Sequence, residues 1–216
     1  WGANDGQLPR QEYTIAQGLK DVGYTTGHFG KWHVGSPHPD YIGKGGGGNP
    51  ERLARPEWFG YDKHFLTHHA CATWDPYGPN GENAETTDNP YWEDGKRVTE
   101  RLVGDDTRVI MDRVIPFVEK ASKEGQPFLS VIWAHTPHSP LRAGPEYKKM
   151  YEGKGLSKKM IEYYGALTAL DDQVGRLETK LRELGEWENT MFWFCADNGP
   201  ASHVRDGGHG LTGGMR

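Results

Sequence analysis

Apolar positions along this chain recur at helical spacing in some stretches and as short continuous runs in others. Thr14-Ile15-Ala16-Gln17 has the form of a capping box; Ile15, Leu19 and Val22 then fall on one helical face, and Gly23 ends the helix. Residues 24–29 predict a short strand that runs into Gly30-Lys31-Trp32-His33-Val34-Gly35. A second helix is expected from near Asp105, with Val109, Ile110 and Val114 apolar, and Pro116 should kink or end it. Phe128-Leu129-Ser130-Val131-Ile132-Trp133 is an apolar run of strand length, and Pro137 and Pro140 force a loop after it. From Ser157 a long helix places Ile161, Tyr164, Leu167, Leu170, Val174, Leu177, Leu181 and Leu184 at spacings of three and four, with Gly185 as its cap. Gly165 and Gly175 inside it hint at close packing. Residues 191–196 predict a last apolar strand that empties into Asp197-Asn198-Gly199-Pro200. Helices alternating with short buried strands imply an α/β sheet with helices on its faces.

Residues 36–100 interrupt this pattern. Gly45 to Gly48, several prolines and many aromatics give no sustained period, so a long irregular excursion is expected. Its Trp58, Phe59, Tyr61, Trp74, Tyr77, Tyr91 and Trp92 either stack on a ligand ring or pack the loop against the core. The 216 residues fit one domain with a real core. A mean hydropathy of −0.80 makes the surface very polar. The net charge of −5, without a block of like charges, argues against nucleic acid as a partner. No apolar run is long enough to span a membrane. The two cysteines, Cys71 and Cys195, form no C-x-x-C pattern, which disfavours a disulfide framework or a zinc ribbon.

Three predicted strands each end in a loop that carries ionisable or metal-binding groups: Lys31 and His33, His135 and His138, Asp197 and Asn198. Ligand sites of open α/β sheets lie outside the carboxyl ends of the strands, so the three loops are candidates for one pocket. In an extended stretch Lys31 and His33 point to one side while Trp32 faces away. A cation beside a titratable imidazole suits an anionic substrate; the alternative is a solvated Lys next to a core His. Asp197 and Asn198 offer hard oxygen ligands for calcium or magnesium, or else form a plain turn. Asp88-Asn89-Pro90 reads as such a turn. No His pair has the spacing of a zinc protease, and His68-His69 lies in an unpatterned stretch. Most of the ten histidines are taken as surface or packing residues.

Taken together, these residues resemble the sulfatase family. Gly23-Tyr24-Thr25-Thr26 followed by Gly30-Lys31-Trp32-His33-Val34-Gly35 resembles the signature G-Y-x-T…G-K-W-H-L-G, with Val34 for the usual Leu. Pro127-Phe128-Leu129 through Pro137-His138-Ser139-Pro140 is similar to the family's P-F-F…P-H-x-P stretch, and Asp197-Asn198-Gly199-Pro200 to its metal motif. The resemblance implies an α/β, alkaline-phosphatase-like mixed sheet with helices on both faces, here truncated at both ends. Residues 1–216 would be part of the N-terminal catalytic domain, with no second domain.

It further implies hydrolysis of aryl or carbohydrate sulfate esters through a formylglycine nucleophile and one calcium ion. By position, Lys31 would hold the sulfate, His33 would take a proton when the covalent sulfate is expelled, and His138 would contact the sulfate and protonate the leaving alcohol. Asp197 and Asn198 would bind calcium. Cys71 and Cys195 both lack the C-x-P-S-R or C-x-A-S-R context of the modified cysteine, so formylglycine is expected upstream of Trp1. The second sulfate-binding lysine and two further calcium aspartates of the family are also missing. Alternatives in view are a phosphodiester or phosphonate monoester hydrolase of the same superfamily and a non-catalytic glycan-binding relative. The sequence leaves the location of the protein open; the family resemblance implies the periplasm or the outside of the cell.

Overall fold

The computed structural model describes residues 7–41 and 53–197. The capping box forms as read: Gln17 N donates to Thr14 Oγ1 at 3.2 Å, and Thr14 N donates to Gln17 Oε1 at 2.8 Å. Helix α1 (Ile15–Asp21) starts there. Its inward residue is Ala16, however, while Ile15 and Val22 are exposed, so the expected apolar face is not the packed one. The reason is how closely the helix docks. Thr14 Oγ1 donates to Phe59 O at 2.6 Å, and a Cβ on Gly60 would lie 2.5 Å from Gln17 N, so there is no room for even a methyl at Gly60.

Among the described residues, strand β1 (Thr25–Lys31) is an interior strand of a five-stranded sheet in the order β4-β3-β2-β1-β5. It pairs in parallel with β2 (Lys63–Thr67) on one side and with β5 (Phe128–Trp133) on the other. β3 (Trp92–Glu93) and β4 (Lys96–Arg97) extend the sheet antiparallel. β2, β3 and β4 lie inside the stretch expected to be irregular. β2 is short and buried, and its partner in the ladder is distant in sequence, so no local period announces it.

The pleat sends alternate residues to two cores. On one face Phe29 and Phe65 meet α2 (Asp106–Lys123), which supplies Val109, Ile110, Val114 and Val118. On the other, Ala16 of α1 joins Trp32, Phe59, Tyr61, Leu66 and Trp92. The aromatics of the long excursion therefore mostly pack. Pro116 neither ends α2 nor stops its burial: Val114, Ile115, Val118 and Ala121 are buried on both sides of it while Pro116 itself is exposed. Burying those side chains offsets the roughly 3 kcal/mol that an interior proline costs.

Two more helices follow β5: α3 (Pro145–Lys149) and α4 (Lys158–Glu183), the latter capped by Ser157 Oγ accepting from Met160 N. The buried positions of α4 are Gly165, Ala166, Ala169, Gln173, Leu177 and Leu181, a narrower stripe than the apolar pattern suggested. Gly165 is a tight contact, with a Cβ there falling 2.7 Å from Ala143 Cβ, whereas Gly175 faces open space. Residues 191–196 do not form the expected strand. Among the described residues they pair with no neighbour in the sheet, and Met191, Trp193 and Phe194 are exposed.

Candidate active site

Because β1, β2 and β5 are parallel, their carboxyl ends lie together, and Lys31 at the end of β1 is in register with Thr67 at the end of β2. The loop after β1 is tied to the loop after β2 by Trp32 N donating to Thr67 O at 2.8 Å and His33 N to His68 O at 2.7 Å. Trp32 turns away into the second core, where its Nε1 donates to Ala54 O at 2.7 Å. Lys31 is half-buried and His33 exposed at the strand end. His33 has φ 51, a left-handed turn instead of extended chain, so simple alternation is not what brings it near Lys31. Gly30, at φ 102, has no room for a side chain: a Cβ would sit 2.1 Å from Trp133 O, which keeps β1 and β5 close at this end.

His33 and His68 face each other edge-on with ring centroids 5.9 Å apart, and His69 follows at 5.7 Å from His68. His138 stands exposed in the loop after β5. Its Nδ1 lies 2.6 Å from Ser139 O, an acceptor, so Nδ1 carries the hydrogen and a neutral ring has its lone pair on Nε2. Partial desolvation of its ring at the strand end holds His33 below its ordinary value, and the charges of Lys31, His69 and His138 push it lower. His68 is pushed down to about 4, first by burial and then by His69, His33 and Lys31. Lys31 is lowered by burial, an effect opposed by the charge of Asp197. These are the electrostatics of basic groups crowded around a shared space, a crowding that a bound anion relieves.

Behind this surface lies a buried network. His135 Nδ1 is 2.6 Å from Asp106 Oδ2, Tyr91 Oη donates to Asp106 Oδ1 at 2.5 Å, and Cys71 Sγ is 3.3 Å from the same oxygen. His138 N donates to His135 O at 2.6 Å, so the network anchors the loop that carries His138. Burial first, then the Asp106 charge, pushes the Cys71 thiol well up, which keeps it protonated.

The structure thus brings together Lys31, His33 and His138, adds His68 and His69, and leaves Asp197 exposed at the end of the described chain. Asn198 lies outside the described residues. Calcium takes six to eight oxygens, whereas here Asp197 is one carboxylate, and among the described residues it belongs to no group of three or more such ligands. They do not make a calcium site by themselves. His68 and His69 escaped the sequence reading because the strand before them did; the signal was Phe65-Leu66-Thr67, a short run ending on two histidines.

A mixed sheet with helices, whose parallel strand ends gather Lys and His side chains, matches an alkaline-phosphatase-like α/β fold. The Sulfatase family model matches residues 2–214, and the chain belongs to the sulfatase family. It is 31% identical to an ulvan-active sulfatase of Formosa agariphila, with 94% of this chain and 38% of that protein covered. To arylsulfatase G of Rattus norvegicus it is 28% identical, with 90% and 37% covered. The crystal structure of Ps i-CgsB in complex with k-i-k-neocarrahexaose is similar, with a TM-score of 0.67, 25% identity, and coverage of 87% of this chain and 40% of that one. The chain therefore spans less than two fifths of the length of the curated relatives named here.

Proposed function

We propose that the protein to which these residues belong hydrolyses sulfate esters of carbohydrates or aryl alcohols. The observation that carries this reading is the cluster of Lys31, His33, His68, His69 and His138 at the joined ends of the parallel strands. Lys31 offsets the negative charge of a sulfate, and the neutral imidazoles offer it N–H hydrogen bonds. His33, kept neutral by its surroundings, is suited to accept a proton, and His138 Nε2, once protonated, to donate one to the leaving oxygen.

In this reading the nucleophile is a formylglycine supplied by sequence outside these 216 residues, since Cys71 is a protonated thiol in a buried network and Cys195 has no motif around it. Asp197 and Asn198 contribute to a calcium site whose other ligands come from the same outside sequence. That ion would add positive charge beside the sulfate. Similarity to an ulvan-active sulfatase, and to a structure solved with a neocarrahexaose, supports a sugar sulfate as substrate.

The test is to produce the full-length protein with its formylglycine installed and compare sulfate monoesters with phosphodiesters and phosphonate monoesters. Higher kcat/KM on sulfate esters, abolished in Lys31→Ala, is the expected result. Preference for the phosphorus esters would overturn the assignment in favour of a related hydrolase.

A further inference from the structure

We propose that Cys71, Tyr91, Asp106 and His135 form a second metal site, specific for zinc, behind the anion pocket. It is separate from the calcium site considered above and uses none of its residues.

The argument starts from hydrogen accounting. Thr67 Oγ1 donates its hydrogen to His69 O at 2.7 Å and lies 2.8 Å from His135 Nε2. Nε2 must then carry a hydrogen and donate it to Thr67. In that tautomer Nδ1 presents a lone pair, yet Nδ1 sits 2.6 Å from a carboxylate oxygen of Asp106. Two lone pairs at that distance repel, so a positive charge belongs between them, either a proton or a metal ion.

The other donors favour a metal. Cys71 Sγ lies 3.3 Å from Asp106 Oδ1 and 3.5 Å from His135 Nδ1, and Tyr91 Oη lies 3.4 Å from His135 Nδ1. Zinc bond lengths give tetrahedral donor–donor edges of roughly 3.4–3.6 Å. The separations from His135 Nδ1 to Cys71 Sγ and to Tyr91 Oη fall inside that range, and the one from Cys71 to Asp106 lies about 0.1 Å below it. The contacts of Asp106 with Tyr91 and with His135 Nδ1 are shorter because a hydrogen now occupies them. Both would lengthen on binding, as the metal displaces the hydrogen between His135 Nδ1 and Asp106 while Tyr91 keeps its own.

One sulfur, one imidazole nitrogen and two oxygens in tetrahedral array suit zinc, and are too few and too soft for calcium. On binding, the Cys71 thiol and His135 Nδ1 each release a proton to solvent, and the thiolate and the Asp106 carboxylate offset the two positive charges. Tyr91 stays a neutral ligand. Tyr91, Asp106 and His135 are buried, so the site would be closed, as structural zinc sites are. Thr67 holds the far nitrogen of the histidine, the usual support of a metal-bound imidazole.

The experiment uses this chain carrying Cys195→Ser, which removes the exposed thiol and leaves Cys71 as the sole sulfur donor of its kind. Dialysis against zinc followed by elemental analysis should find one zinc per chain and a melting temperature raised by several degrees. Cobalt in its place should give a thiolate-to-cobalt charge-transfer band and intense tetrahedral visible bands. Further replacement by Cys71→Ala should abolish the charge-transfer band. No retained metal, or cobalt bound without a thiolate band, would overturn the proposal, the second outcome pointing to histidines of the anion pocket. The cobalt spectrum of the Cys195→Ser chain decides the matter even where Cys71→Ala fails to fold.

Discussion

His28 makes this fold sensitive to acid in a way that can be measured. It lies in β1, fully buried, with the rings of Trp32, Tyr61 and Trp133 edge-on at 4.9, 5.2 and 4.8 Å. Neither ring nitrogen has a hydrogen-bond partner among the described residues. Burial, with a smaller contribution from His64, lowers its pKa from 6.5 to about 3. The folded-state value is thus below the unfolded one, and between them the unfolded chain holds a proton that the folded chain does not. Stability is therefore insensitive to this residue well above pH 6.5 and falls as pH drops from there toward 3. At about 1.4 kcal/mol per pH unit, the loss at pH 5 is about 2 kcal/mol, and the ceiling near pH 3 is about 5 kcal/mol.

Urea unfolding followed by tryptophan fluorescence at pH 7.5 and pH 5 measures the loss, and His28→Phe should reduce it by about 2 kcal/mol. Other histidines titrate in both proteins and largely cancel in the difference. Equal losses in the two proteins would show that His28 does not titrate between the folded and unfolded states, and the reasoning would fail.

Other perturbations have equally definite outcomes. Gly30→Ala places a methyl against Trp133 O at a left-handed φ and should destabilise by more than about 3 kcal/mol, seen as loss of soluble folded protein or a large drop in melting temperature. Leu181→Ala, at a position 2% exposed between α4 and the first core, should cost ~2–5 kcal/mol in the same urea experiment. In the full-length enzyme, His138→Ala should impair sugar sulfates far more than activated aryl sulfates, because only the poor leaving group needs the proton; equal losses would remove its acid role. Sulfate affinity should rise as pH falls, because a bound dianion lifts the depressed pKa values of His33 and His68, and calorimetry at two pH values checks the sign.

Much of the fold was legible because it is written in local signals. Thr14 and Gln17, Asp105, and Ser157 mark the starts of α1, α2 and α4 where capping chemistry predicts them. The runs after Tyr24 and Gln126 become the parallel pair β1 and β5. What escaped depends on distant partners. β2 carries Lys63, His64 and Thr67 and exists because β1 accepts it in register, a relation no window of sequence holds. Residues 191–196 have strand composition, but among the described residues no strand pairs with them. Ile15 and Val22 have helical spacing but lie on the side of α1 away from the close contact with Gly60.

The clustering of Lys31, His33 and His138 at the strand ends was legible from their place after apolar runs. His68 and His69 were not, because their strand was hidden. Cys71, Tyr91, Asp106 and His135, spread over 64 residues between Cys71 and His135, meet only in the folded chain.

The claim that this strand-end cluster is a sulfate site is tested most directly by titrating sulfate into the chain while following its histidine side chains by NMR. The account predicts that signals of His33, His68, His69 and His138 move together with one affinity, that those of the buried His28 and His64 stay fixed, and that Lys31→Ala abolishes the response. Sulfate-induced shifts spread over all the histidines, or a response unchanged in Lys31→Ala, would contradict it.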